Sequence, residues 1–171
     1  MESSLTKSFP LRIITAVGLL VAIGTVAAPF SIPVGVAKAY PVQHAINVLA
    51  GVLLGPGPAV VAAVLTSTIR NLLGTGTPLA FPGSIFGALL AGLAFRYFQK
   101  EYLAAAGEVL GTGVIGGLVS FPVAKWLLGF EGVAYFYVVP FALSSFSGSL
   151  ISMIILRLWP KGPGAAITRR R

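Results

Sequence analysis

Long apolar runs separated by short polar breaks dominate the chain. The first uncharged run covers residues 13–37, and its apolar block at 13–30 has about the 20 residues that a membrane span requires. A second uncharged run at 39–69 is too long for one helix, and Gly55-Pro56-Gly57-Pro58 interrupts it with a strong turn signal. The pattern predicts six helices, at residues 13–30, 43–54, 58–73, 83–98, 102–128 and 136–159.

Composition identifies the solvent of these helices. Hydrophobic residues make up 56% of the 171 residues, charged residues only 9%, and the mean hydropathy is +0.93. A soluble domain of this length carries more charge, so lipid is expected to surround most of the chain, and backbone groups in lipid must be satisfied within helices. We therefore predict an all-α membrane protein with a six-transmembrane-helix bundle. It forms one integral membrane domain over residues 1–171, embedded at about 11–159 with short basic tails.

The charged residues predict the orientation. Cations at the ends of the runs number nine on one side and three on the other, so the positive-inside rule places both termini in the cytoplasm. The cytoplasmic set is Lys7, Arg12, Arg96, Lys100, Arg157, Lys161, Arg169, Arg170 and Arg171, and the outer set is Lys38, Arg70 and Lys125. A cleaved signal peptide is the alternative for the first block, but the block exceeds the usual signal core and no polar domain follows it.

Several function classes are excluded or disfavoured by what the chain lacks. It has no cysteine, no aspartate and one histidine, which leaves no disulfide or thiolate metal site and makes an acid–base triad hard to assemble. Neither a P-loop nor a hydrolase motif is present, so no cofactor, metal or enzymatic activity is expected. The net charge of +8 does not indicate nucleic-acid binding, because the cations punctuate apolar runs.

Small residues recur at four-residue spacing along the predicted helices. Such spacing lets helices approach closely where no hydrophobic effect drives their association. Internal bundle packing is the simpler interpretation, and docking of a partner membrane protein is the alternative for one stripe, most plausibly on the first helix. The motifs are Gly18/Ala22, Gly24/Ala28, Gly83/Gly87/Ala91, Gly107/Gly111, Gly113/Gly117 and Ser144/Gly148/Ser152.

A polar cluster lies at the outer mouth of the second helix. Gln43, His44 and Asn47 share one helical face in an otherwise apolar stretch, and polar groups inside a membrane are costly. One interpretation is a solute pocket beneath the loop at residues 30–41. In the other, Gln43 caps the helix and His44 lies at the headgroup level.

Other polar and aromatic residues extend this candidate site. Arg70 either snorkels to the interface or points inward, with Asn71 beside it. Glu108 is the acid placed well inside an apolar helix, and Thr112 shares its face. Trp126 and Tyr137 are either interfacial anchors or rings that stack on a flat solute.

Three runs resemble the ThiW family over roughly residues 10–158. They are SIPVGVAKAYPVQHAINVLAGVLLGP at 31–56, RNLLGTGTPLAFPGSIFGALLAG at 70–92 and GEVLGTGVIGG at 107–117. The resemblance implies a substrate-binding S component of an energy-coupling factor (ECF) transporter, a type of ABC importer, in a prokaryotic plasma membrane. Its solute would be the thiamine precursor hydroxyethylthiazole, and its partners a transmembrane T component and two ATPase subunits.

The resemblance also implies roles for particular residues. Gly18 and Ala22 would dock the T component, and the solute would lie in the outer half of the bundle. A small neutral aromatic solute needs rings and a few donors and acceptors, which suit the site residues named above: Gln43, His44, Asn47, Asn71, Glu108, Thr112, Trp126 and Tyr137. A neutral solute does not require Arg70 or Glu108 as a counter-charge. A stand-alone carrier or channel for another vitamin-like solute remains the main alternative, and a small membrane enzyme is the weakest.

Overall fold

Six helices and one β-hairpin make up the protein in the computed structural model, which describes residues 10–34, 37–129 and 131–158. The helices are α1 Leu11–Val26, α2 Pro41–Leu54, α3 Pro56–Leu72, α4 Ala80–Phe98, α5 Glu101–Leu128 and α6 Val138–Leu158. The strands β1 Ile32–Val34 and β2 Ala37–Ala39 pair antiparallel between α1 and α2. The predicted basic tails (Lys7, Lys161, Arg169, Arg170 and Arg171) and the predicted last residue of the sixth helix, Trp159, lie outside the described residues.

Proline and glycine set the helix boundaries. Pro41 and Pro56 begin α2 and α3, where a missing amide hydrogen and a fixed φ are favourable. Gly55 is the single residue between these two helices. Its φ of +87° is a conformation that a residue with a Cβ rarely adopts, so glycine is favoured at this turn. The predicted break at 55–58 is therefore confirmed, although Pro56, Gly57 and Pro58 belong to the first turn of α3.

Helix α5 contains a change in helical geometry. Residues Glu101–Val109 are α-helical, Leu110–Gly116 form a π-helical stretch, and Gly117–Leu128 return to the α form. A π-helical stretch changes the angle per residue, so the faces of the two α-helical parts are out of phase. The sequence pattern predicts one regular helix here and does not reveal the change.

Helix α2 forms the centre of the bundle. It contacts all five other helices, and 12 of its 14 residues are buried. A helix enclosed by protein does not have to match the thickness of the lipid, so its 14 residues are sufficient. The polar side chains on α2 are consequently placed inside the protein.

Glycines bring the helices around α2 into backbone contact. A Cβ on Gly107 would lie 2.7 Å from the carbonyl oxygen of Leu90, and one on Gly116 would lie 2.8 Å from the Cα of Gly83. These contacts hold α4 against α5. The bundle-packing interpretation of the small residues on these helices is confirmed, whereas Gly18 on α1 has nothing within 4 Å of its Cβ position.

The exterior is apolar, as expected for a protein in lipid. Three helices, α4, α5 and α6, are long and apolar enough to cross a membrane, and α1 and α2 are shorter apolar helices. Large exposed side chains on their outer faces are hydrophobic, for example Leu19, Phe146 and Ile154. An all-α membrane protein is thus supported, while the six-span count and the orientation remain predictions.

Candidate functional site

A cavity of about 880 Å³ lies at the end of the bundle where α1 ends and α2 begins. Its walls come from the loop after α1, the β-hairpin, the first turn of α2, the last turn of α3, the α3–α4 connection with the start of α4, and the start of α6. Its size is in the range of cavities that bind small molecules. The charge distribution predicts that this end of the bundle faces outward.

Glu108 anchors a buried hydrogen-bond network beneath the cavity. Its side chain is fully buried, and its Oε1 lies 2.8 Å from Nδ1 of His44, 3.1 Å from Nδ2 of Asn47 and 2.9 Å from Oγ1 of Thr112. Polar atoms of three side chains therefore converge on one oxygen of the Glu108 carboxyl group. The Thr112 hydroxyl also lies 2.9 Å from the carbonyl oxygen of Gly83, and its single proton can serve one of the two acceptors at a time.

Glycine in α4 makes room for this network. A Cβ on Gly87 would lie 2.7 Å from Oε1 of Glu108 and would overlap the Thr112 hydroxyl. Glu108 lies one residue before the end of the first α-helical part of α5, and Thr112 lies within the π-helical stretch that follows. Despite this change in helical geometry, the side chains of Glu108 and Thr112 lie in contact.

The network determines what His44 offers to the cavity. His44 lines the cavity, while its Nδ1 is bound to Glu108. When Nδ1 carries the proton that Glu108 accepts, Nε2 of the neutral ring is an acceptor. A solute hydroxyl could donate a hydrogen bond to this nitrogen.

Arg70 forms part of the cavity wall and is only 1% exposed. Its Nη1 donates to Oε1 of Gln43 at 3.3 Å, its Nη2 donates to the carbonyl oxygen of Thr75 at 3.4 Å, and its guanidinium carbon lies 4.0 Å from the centre of the Tyr40 ring. The backbone amides of Thr75 and Gly76 donate back to the carbonyl oxygen of Arg70, so the α3–α4 loop folds over this residue.

Aromatic side chains from the start of α6 form another wall. Tyr137 contacts Phe136 edge to face, with ring centres 5.2 Å apart, and Phe141 lies 6.1 Å away on its other side. All three rings line the cavity, and burial raises the pKa of the Tyr137 phenol, so this group stays neutral at physiological pH. The cavity therefore combines flat apolar surface with a small number of polar groups, as small-molecule sites do.

Comparison with known proteins identifies the family. A sequence model of the ThiW family, described as thiamine-precursor transporter protein, matches residues 14–161. The chain belongs to the ThiW family. No curated protein and no solved structure matches it. The resemblance drawn from the sequence is confirmed, and the chain is a transporter of a thiamine precursor.

Most of the predicted site residues lie at or directly below the cavity of this ThiW protein. Gln43, His44 and Tyr137 line it, and Asn47, Glu108 and Thr112 form the network beneath. Gln43 makes no capping bond at the start of α2, so that part of the alternative interpretation is not supported, and His44 is buried within the protein at 7% exposure.

Two predicted residues lie elsewhere. The Asn71 side chain donates to the carbonyl oxygens of Ser67 at 2.8 Å and Thr77 at 3.0 Å, so it holds the α3–α4 loop and does not line the cavity. Trp126 is 81% exposed and is not part of the wall, which corrects its assignment as a stacking ring. In a regular α-helix, the 18 residues from Glu108 to Trp126 would be about five turns and would share a face. The π-helical stretch between them removes that alignment.

Other cavity residues were missed by sequence reasoning or left undecided. The inward and snorkelling alternatives for Arg70 are resolved in favour of the inward one, but its contacts are with Gln43 and Tyr40 and not with Glu108. Tyr40 and Phe141 have no special pattern in the sequence. Among the described residues, no group of three His, Cys, Asp or Glu side chains could hold a metal ion.

Proposed function

We propose that this ThiW protein is the substrate-binding S component of an ECF-type importer and that its cavity binds hydroxyethylthiazole. The observation that carries the solute assignment is the pairing of His44 with an aromatic wall in one cavity. The thiazole ring would lie against Tyr137 and Phe141, and its hydroxyl would donate to Nε2 of His44. The amide of Gln43, whose Nε2 has no hydrogen-bond partner among the described residues, could donate to the ring nitrogen.

The energy source is proposed to lie in other subunits. The chain contains no P-loop motif, and its membrane bundle has no nucleotide-binding segment in the sequence. A T component and two ATPase subunits would supply ATP hydrolysis. Within this proposal, the protein captures the solute with high affinity on the outer side and its partners drive release to the cytoplasm.

Helix α1 is the proposed docking site for the T component. Gly18 and Ala22 are exposed on its outer face, and the space around the Cβ position of Gly18 is open. The helix lies at the edge of the bundle, with its main contacts on α3 and α2. Small residues on a free face allow another membrane helix to approach closely.

Two measurements test the proposal. Calorimetric titration of the purified protein should give saturable binding of hydroxyethylthiazole and no comparable binding of the aminopyrimidine half of thiamine. Uptake into liposomes that hold the protein alone should be absent and should require added T component and ATPases. Uptake by the protein alone would support a stand-alone carrier and would contradict the S-component assignment.

A further inference from the structure

Arg70 is a buried cation without an acidic partner. No carboxylate of the described residues lies within 4.0 Å of its guanidinium, and its two hydrogen bonds go to neutral oxygens at 3.3 and 3.4 Å. Its Nε is buried and has no hydrogen-bond partner among the described residues. Burial of a charge is costly unless an opposite charge and hydrogen bonds compensate it, and among the described residues Arg70 has two long hydrogen bonds and the Tyr40 ring but no opposite charge.

Glu108, the acid placed well inside an apolar helix, does not serve as the counter-charge of Arg70. Glu108 directs Oε1 to His44, Asn47 and Thr112, and its contacts are with those three residues rather than with Arg70. The chain has four acidic residues in all, and none of the residues that line the cavity is acidic. Arg70 is one of the residues that line the cavity, and no acidic side chain of the described residues neutralises its charge.

A second cation lies at the same cavity. Lys38 on β2 is exposed and lines the cavity, so two cationic side chains face the space where a solute would bind. Low-dielectric walls concentrate such a positive field and attract anions from outside. The guanidinium is also the side chain that best recognises planar or tetrahedral oxyanions, because its donors match two oxygens at once.

We propose that the preferred solute of this cavity carries an oxyanion, either a carboxylate or a phosphate monoester, on a small aromatic ring, and that Arg70 binds this anion. The inference rests on the proposed function, that a thiazole precursor binds in this cavity, and it makes an anionic thiazole rather than the neutral alcohol the preferred solute. The ring occupies the aromatic wall at Tyr137 and Phe141, and the anion replaces the weak neutral contacts of Arg70. Lys38 attracts the solute at the mouth of the cavity.

Calorimetric titration with three thiazoles near neutral pH tests the inference. The probes are hydroxyethylthiazole, its phosphate monoester, and the analogue with a carboxymethyl group in place of the hydroxyethyl group. At least one anionic probe should bind about tenfold or more tightly than the alcohol, the ratio expected for a charge-assisted hydrogen-bonded pair. A preference for phosphate over carboxylate, or the reverse, supports the inference and identifies the anion.

Three variants assign the preference to Arg70. Arg70→Gln should remove the preference for the anionic probe, and Arg70→Lys should retain part of it. Arg96→Gln makes the same change of charge at an exposed position in the last turn of α4, away from the cavity, and should leave the ratio unchanged. The ratio of the dissociation constants of two probes, measured on one preparation, does not depend on the fraction of a variant that folds. The ratio for the wild-type protein tests the anion preference without any variant.

The outcomes separate this inference from the proposed function. If the alcohol binds as tightly as both anions, or if Arg70→Gln keeps the anion preference, the inference is overturned while the thiazole assignment stands. If none of the three thiazoles binds, both are overturned.

Discussion

At the scale of single residues, the most consequential group is the carboxylate of Glu108. It is fully buried and bonded to side chains from α2 and from its own helix. Glu108 fixes the orientation of His44 and Asn47, because both of these side chains form a hydrogen bond with its Oε1. The ring nitrogen of His44 that remains for a solute is thus set by Glu108, a residue that does not itself line the cavity.

Replacing Glu108 tests this dependence. Glu108→Leu would remove the acceptor of His44, at about 1–3 kcal/mol. It would also leave the Asn47 amide with only its longer bond to the carbonyl oxygen of Ser84 at 3.4 Å. We expect a clearly lower thermal midpoint of unfolding in detergent and weaker solute binding. Glu101→Leu, at the first residue of α5, is the control and should have a much smaller effect. Equal midpoints for the two variants would show that the network does not stabilise the bundle.

His44 itself should be required for binding. His44→Ala removes the proposed hydrogen-bond acceptor of the solute hydroxyl from the lining of the cavity and should weaken thiazole binding about tenfold or more. Trp126→Ala is the matched control, because this ring is 81% exposed and away from the cavity. Calorimetry that finds unchanged affinity in His44→Ala would remove His44 from the site.

At the scale of helices, close backbone contact between α4 and α5 decides whether the network can form. Gly87 leaves the space that Glu108 and Thr112 occupy, and the π-helical stretch adjusts the face that the rest of α5 presents. Helix α2 then places His44 and Asn47 against this pair from the other side. The polar network therefore depends on three helices at once.

A single methyl group on α4 should disturb this arrangement. Gly87→Ala would place its Cβ 2.7 Å from Oε1 of Glu108, and such overpacking typically costs about 1–3 kcal/mol. Gly57→Ala is the matched control in the first turn of α3, where nothing lies within 4 Å. We expect a lower thermal midpoint for the first variant and an unchanged or slightly raised one for the second. The opposite order would contradict the described packing.

Helix α1 gives a prediction about assembly. Gly18→Leu and Ala22→Leu should abolish co-purification with the T component and leave solute binding by the isolated protein unchanged. Ala106→Leu makes an equal change in size on an exposed face of α5 and should retain co-purification. Normal assembly of both α1 variants would place the T component on another surface.

At the scale of the whole molecule, the predicted orientation places the cavity on the outer side of the membrane, where a solute could enter it from outside the cell. The β-hairpin and the α4–α5 connection lie at opposite ends of α2, α3 and α4, so they should lie on opposite sides of the membrane. The chain has no cysteine, which makes single-cysteine labelling clean. In intact cells, an impermeant thiol reagent should label Lys38→Cys and spare Gln99→Cys. The reverse pattern would invert the predicted topology.

Sequence reasoning reached the helices and part of the site for physical reasons. Apolar runs and Gly/Pro breaks are local signals, and the i, i+3 and i+4 spacing of Gln43, His44 and Asn47 places them on one face. The pairing of His44 with Glu108 joins residues 64 apart in sequence, and no local pattern encodes that contact. The phase change in α5 and the inward turn of Arg70 likewise depend on the packing of several helices.

The most direct test of the cavity as the solute site uses the sulfur atom of the thiazole ring. The chain has two methionines and no cysteine, so anomalous diffraction at long wavelength from crystals grown with a bound thiazole would show few protein sulfur positions. The account predicts an additional sulfur peak in the cavity, between His44, Arg70 and Tyr137. A well-occupied sulfur peak at any other place, with this cavity empty of solute, would contradict it.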